Sequence, residues 1–314
     1  MKASQLQKIV AGSRLTFPVT VVYGLVLCLI GGVIQHQWWL QLACYALAAY
    51  LMIQLNNFNA LIRIYSRSTT AAFIILSGVA CFIFPSLAGD LVTVGLIASL
   101  LTLFVTYQNR EAAGWTYYTF LILGLSSLAK VHLLALIPIY WILMIFLSSL
   151  SLRTFIASLA GLLTPYWCWL ALVIFLYKGD LSAIGGHFQA FTAVDFPGAY
   201  DSIPLPHYLT YAFLIVLAVT GIVHFLRKSY NDKIRTRQLF YSIMFFDIVV
   251  LVLIPLFPQH YDLLLRPAII LTSPLIGHFI ALTHTKVTNI AFYFILIAAL
   301  LLTGFNLWIS SFTS

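Results

Sequence analysis

Charge is what this chain has least of. Only 8% of its 314 residues are Asp, Glu, Lys or Arg, 62% are hydrophobic, and the mean hydropathy is +1.02. A water-soluble domain cannot hide so large an apolar fraction, so the solvent for most of the chain is lipid. The four cysteines, Cys28, Cys44, Cys81 and Cys168, lie inside apolar runs without C-x-x-C spacing. That excludes a disulfide framework and a zinc module. The catalytic signatures H-E-x-x-H and G-x-S-x-G, the Walker loop and the dinucleotide fingerprint are all missing. His278 and His284 stand six apart, a poor match to one helical face, so neither a metal pair nor a cofactor is expected. No stretch is hydrophilic enough for a soluble domain, and no repeat aligns along the chain.

What is present is a series of apolar runs. Lys2, Lys8 and Arg14 precede the stretch Leu15–Ile34, which is too long for a signal-peptide core and is followed by no small-residue cleavage site. It reads as an uncleaved first span. Further spans are expected near Trp38–Gln54, Thr70–Pro85, Leu91–Tyr107, Thr154–Tyr177, Tyr208–Leu226, Leu239–Phe257, Pro267–Leu282 and Val287–Ser310. Trp115–Leu147 is long for one crossing. Read as a tight helical hairpin turning at Lys130, it keeps the following loops in phase with the charge rule.

The expected fold is therefore all-α: a polytopic transmembrane helical bundle of about 11 spans forming a single integral membrane domain over residues 1–314. Its N-terminus is cytoplasmic and its C-terminus extracytoplasmic. This topology puts 13 of 16 basic residues on the cytoplasmic side and five of eight acidic residues outside, which is the asymmetry that basic-loop retention produces. The basic loop 227–238, with Arg227, Lys228, Lys233, Arg235 and Arg237, is cytoplasmic. Its charge is explained by topology and by anionic headgroups rather than by a nucleic acid. Residues 178–207 form the one long extracytoplasmic loop, rich in Gly, Pro, His and aromatics, as a segment at the interface or over a cavity would be. Small residues such as Ala157 and Gly161, four apart, suit close helix packing.

Two groups of residues carry candidate chemistry. At the outer face stand His187, Asp195, Asp201, His207, His260, Asp262 and Arg266, with Lys130 and Asp90 on the same side. General acid–base groups beside a cation suit a lipid-phosphate substrate, with Arg266, His207 and Lys130 as binding groups. An Arg266–Asp262 pair, or Arg266 snorkelling to headgroups, is the plainer alternative. Inside the hydrocarbon, Asp247 is the one acidic residue well within a span, and His278 is a plausible partner. An ionisable residue there is costly and is a functional candidate by default, as a proton or cation site, or else a neutral group bonded to Asn or Tyr on a neighbouring helix. Gln54, Asn56, Asn57 and Asn59 read as polar packing contacts at the cytoplasmic end of the second span.

Asn56-Asn-Phe-Asn59, Arg153 with Gly161 and Pro165, and Ile276-Gly-His-Phe279 with Trp308 resemble multi-pass inner-membrane proteins of Bacteroidetes that carry no established activity. The resemblance covers most of the chain and implies the cytoplasmic (inner) membrane of a bacterium. A looser architectural likeness joins it to polyprenyl-phosphate-dependent O-antigen polymerase and ligase enzymes. The metal-dependent glycosyltransferases of that broad group carry a carboxylate in the first outer loop, whereas Gln35-His-Gln-Trp38 has none. Three functions follow as expectations. The first is a cell-envelope glycan assembly enzyme acting on a lipid-linked phosphate at the outer face. The second is a transporter or flippase using Asp247 and His278, and the third a non-catalytic membrane subunit. Membrane lipids are the expected partners, with a lipid-linked glycan or other membrane subunits beside them, and no nucleic acid.

Overall fold

Every apolar run becomes helix, because a backbone in lipid must satisfy its own N–H and C=O groups. In the computed structural model, residues 6–64, 66–176, 182–192, 203–282 and 285–313 are described, and among them there is no strand. The helices are α1 (Leu6–Gly12), α2 (Thr16–Ile30), α3 (Trp39–Asn59), α4 (Ser68–Val79), α5 (Leu87–Val105), α6 (Ala113–Ala129) and α7 (Ile137–Phe146). They continue with α8 (Leu152–Leu176), α9 (Ser182–Thr192), α10 (Leu205–Lys228), α11 (Ile234–Leu256), α12 (Tyr261–Leu282) and α13 (Lys286–Thr313). Six helical stretches among the described residues are long and apolar enough to cross a membrane: those of α5, α8, α10, α11, α12 and α13. α4 is short for a crossing. Its 12 residues rise only about 18 Å, so a 3-10 turn at Cys81–Ile83 extends it toward Pro85.

The chain forms two compact units. The first combines Met1–Leu87 with Ala199–Ser314, and the second is Ala88–Gly198. In the first unit α12 is the central element, with nearly all its residues buried. α4 runs antiparallel to it and touches it so closely that Gly277 has no room for a side chain. A Cβ there would stand 2.9 Å from the Thr69 backbone. α10 runs parallel to α12, since His207 meets Tyr261 at one end and His224 meets His278 at the other. α11 is antiparallel to both: the Tyr211 hydroxyl donates to the Leu251 carbonyl, and Phe240 lies against Phe225 and His278.

These directions sort the loops of the first unit onto two ends. At one, Gln7 of α1 reaches the Phe279 and Ile280 carbonyls, Arg63 donates to the Asn231 carbonyl, and Arg235 donates to Asn59. Arg67 lies over the Phe17 ring at the same end. Arg14, Arg227, Lys228, Lys233, Arg237 and Lys286 belong to these same connections and helix ends. The Asn-rich end of α3 acts there as packing: Asn56 donates to the Ser66 carbonyl and Asn59 to the Leu55 carbonyl. The opposite end gathers Trp38, Phe82, Phe84, His207, Tyr261 and Arg266.

In the second unit, α6 and α8 run parallel and in contact. Gly161 faces the Tyr117 carbonyl and Gly124 the Leu162 carbonyl, with no space for a Cβ at either position. Gly161 therefore acts as the close-packing residue that its spacing predicts. Lys130 ends α6 in extended backbone, and the chain then turns back through the 3-10 segment Val131–Leu136 into α7. Phe120, ten residues before Lys130, meets Tyr140, ten after it, with ring centroids 6.2 Å apart. The reversal therefore falls where the charge pattern puts it.

Candidate functional site

The expected outer-face set divides between the two units. In the first unit, His207 opens α10 and stacks on Phe82 with ring centroids 4.1 Å apart, while the Tyr261 hydroxyl donates to the His207 carbonyl. Its Nε2 lies 3.8 Å from the Asp262 carboxylate, which is exposed. Asp262 thus faces His207 and not Arg266. His260 is half-buried in the 3-10 turn Pro258–His260.

Arg266 differs most from expectation. It is only 3% exposed, and its guanidinium donates to the Ile83 carbonyl at the end of the 3-10 turn that follows α4. The sequence predicts a fork open to a lipid phosphate. The structure instead uses Arg266 inside the protein, because α12 is enclosed and a short helix leaves carbonyls in need of a donor. This corrects both the phosphate-binding role and the snorkelling alternative.

In the second unit, Lys130 is exposed at the helix break. His132 Nε2 contacts the Ala190 carbonyl of α9 at 2.9 Å, and His187 packs against Trp169, with ring centroids 5.2 Å apart, and against Tyr166 and Phe188. The segment after α8 therefore contains a helix, docked by its aromatic residues on Tyr166 and Trp169 of α8. Burial lowers the His187 pKa, the Ser127 backbone contact raises it, and nearby His132 lowers it again, with a net fall. A histidine lowered in the folded state resists protonation, so the stability it lends is present above about pH 6.5 and lost as pH falls below it. Hydrogen exchange in α9, corrected for intrinsic rates, should accelerate at pH 5.5 relative to pH 7.5. Equal protection at both values would mean that His187 does not hold the helix. Asp195 and Asp201 lie outside the described residues.

Two polar constellations occupy the interior of the first unit. The Asp247 carboxylate, on α11, is fully buried, and its partner is the Thr272 hydroxyl of α12, at 3.1 and 3.3 Å to its two oxygens. His278 is not that partner. It lies six residues further along α12, about 9 Å by helical rise, and pairs elsewhere.

His278 Nε2 stands 3.1 Å from the Asp232 carboxylate, with both side chains almost wholly buried. Its Nδ1 faces His224 Nδ1 at 3.4 Å. Phe225, Phe240 and Phe279 enclose the two rings. α10 and α12 can approach closely enough for this contact because Gly221, three residues before His224, packs against the Leu275 backbone, while Gly277 beside His278 admits the Thr69 backbone of α4. Among the described residues, no group of three or more His, Cys, Asp or Glu is arranged to hold a metal ion.

No protein family, curated protein or solved structure matches this chain.

Sequence reasoning missed His224 and Asp232. Asp232 reads as one acid inside a solvated basic loop, and His224 as an isolated ring in an apolar run. A usable signal existed in the parity of the spans, which puts the end of α10, the connection after it and the end of α12 on one side.

Proposed function

We propose that this chain is a multi-pass transport protein of a bacterial cytoplasmic membrane, with Asp247 as its ion- or proton-responsive group. The observation that carries the reading is the Asp247 carboxyl, fully buried between two long apolar helices with one hydroxyl as its partner. A carboxylate in that position is costly unless a proton or cation accompanies it, which is the usual signature of a pathway residue. The glycan-assembly reading needs a cation open to the outer face, and of its two candidates Arg266 is enclosed, which leaves only Lys130, exposed at the end of α6. Membrane lipids surround the protein in this reading, and a lipid-linked glycan is not required.

The arrangement in the membrane belongs to the same proposal. α2 to α8 and α10 to α13 supply 11 crossings, with the basic end of the first unit in the cytoplasm and the C-terminus outside. The clustering of Arg14, Arg63, Arg67, Arg227, Lys228, Lys233, Arg235, Arg237 and Lys286 at one end supports that orientation. A cysteine added after Ser314 should react with an impermeant reagent in intact cells. Protection there, with labelling only after lysis, would reverse the assignment.

Asp247→Asn keeps the shape and a hydrogen bond to Thr272 but removes the titratable group. The variant should reach the membrane in normal amount, yet fail to restore the pH- or ion-dependent phenotype of a deletion strain. Full restoration would remove the ground for transport.

A further inference from the structure

We propose that Asp232, His278 and His224 form a proton relay at the basic end of the first unit, which takes up and releases one proton through His224 Nε2. The inference does not use Asp247, on which the proposed function rests.

The hydrogen-bond logic of the three groups leads there. Asp232 as a carboxylate only accepts, so His278 donates to it from Nε2. In a neutral ring the other nitrogen, His278 Nδ1, is then a bare lone pair. His224 Nδ1, 3.4 Å away, supplies the proton that it accepts. That choice strips the proton from His224 Nε2, which is buried and has no hydrogen-bond partner, in a residue only 8% exposed. One end of the chain is thus a buried base with nothing to accept from, and the other is a buried carboxylate.

A proton can be added without moving a heavy atom. The proton binds His224 Nε2. His224 passes its Nδ1 proton to His278 Nδ1, and His278 becomes an imidazolium that still donates from Nε2 to Asp232. His224 is neutral again, carrying the new proton on Nε2. One proton has entered, no bond between heavy atoms has changed, and the positive charge has moved to the ring beside the carboxylate, where it is best stabilised.

The charges facing the cluster come from each surrounding element. α10 contributes Lys228, one turn beyond His224, whose charge opposes a second cation, and the α10–α11 connection contributes Asp232, which favours one. On α11 the near face is aromatic, Phe240 and Tyr241, while Arg235 is directed to Asn59. Arg63 is held by the Asn231 carbonyl. Among the described side chains, α1 and α4 contribute the neutral Gln7 and Ser68, bonded to the α12 carbonyls on either side of His278.

The test is a histidine nitrogen-15 NMR titration of the full chain in lipid nanodiscs, in the wild type and in Asp232→Asn. In the wild type both rings should change over one shared pH interval, as coupled sites do. Asp232→Asn should shift that interval to lower pH by about one unit or more, because the group stabilising the imidazolium is gone. Separate midpoints for the two rings in the wild type would overturn the relay. So would a wild-type spectrum at neutral pH in which His278 Nε2 or His224 Nδ1 carries no proton, because the relay requires both. Both outcomes are read from the wild-type protein, so a variant that fails to fold does not shelter the proposal. They are independent of whether Asp247→Asn blocks transport.

Discussion

Arg266→Ala should sharply lower the amount of folded protein in the membrane. The side chain is almost fully enclosed and donates to the Ile83 carbonyl. Truncation leaves that acceptor without its donor and opens a cavity along α12. An unsatisfied buried acceptor costs about 1–3 kcal/mol, and loss of a long buried stem adds a comparable amount. Arg266→Met separates the two contributions, because it keeps most of the volume and removes only the donors. Met should therefore fall between wild type and Ala in thermal unfolding in detergent. If Ala accumulates and unfolds like wild type, the residue has no structural role and an exposed binding role regains its standing.

Gly277→Val should be nearly as damaging, for a steric reason. An added Cβ would stand 2.9 Å from the Thr69 Cα and N, which are backbone atoms of α4 and cannot rotate away. Overpacking of this kind costs about 1–3 kcal/mol and moves backbone. The displacement acts next to His278, so the rings of His278 and His224 should separate along with α4 and α12. The measurements are the unfolding temperature in detergent and the histidine nitrogen-15 spectrum. An unchanged spectrum with a lowered unfolding temperature would show that α12 yields on the α4 side alone. No change in either would mean that the two helices are not in contact in the membrane.

Fold and site were legible in the sequence to different depths. Helix positions follow from runs of apolar residues, which are local, and the break at Lys130 follows from charge parity. The ends of helices were harder: α3 extends to Asn59 because the Asn56 and Asn59 side chains bond to the following loop and within the helix. The partners of buried polar groups were not legible. Asp232 and His278 are 46 residues apart and His224 and His278 are 54 apart, so no periodicity links them. Arg266 was misjudged for the same reason, since its acceptor lies 183 residues earlier in a turn with no sequence signature.

The first unit is discontinuous, made from Met1–Leu87 and Ala199–Ser314 with the second unit's whole sequence between them. During translation, α1 to α4 leave the ribosome well before the helices they pack against. At about 5–20 residues per second the wait is on the order of ten seconds. α4 is ill suited to it: it is short, and Ser68, Thr69 and Thr70 are meant for burial against α12. The intervening segment, contiguous in sequence, can assemble without waiting for anything later. Biogenesis should therefore run inside out, with the middle of the polypeptide stable first and its two flanks joined last. Until α12 arrives, the early helices are a natural client for a membrane insertase or a quality-control protease.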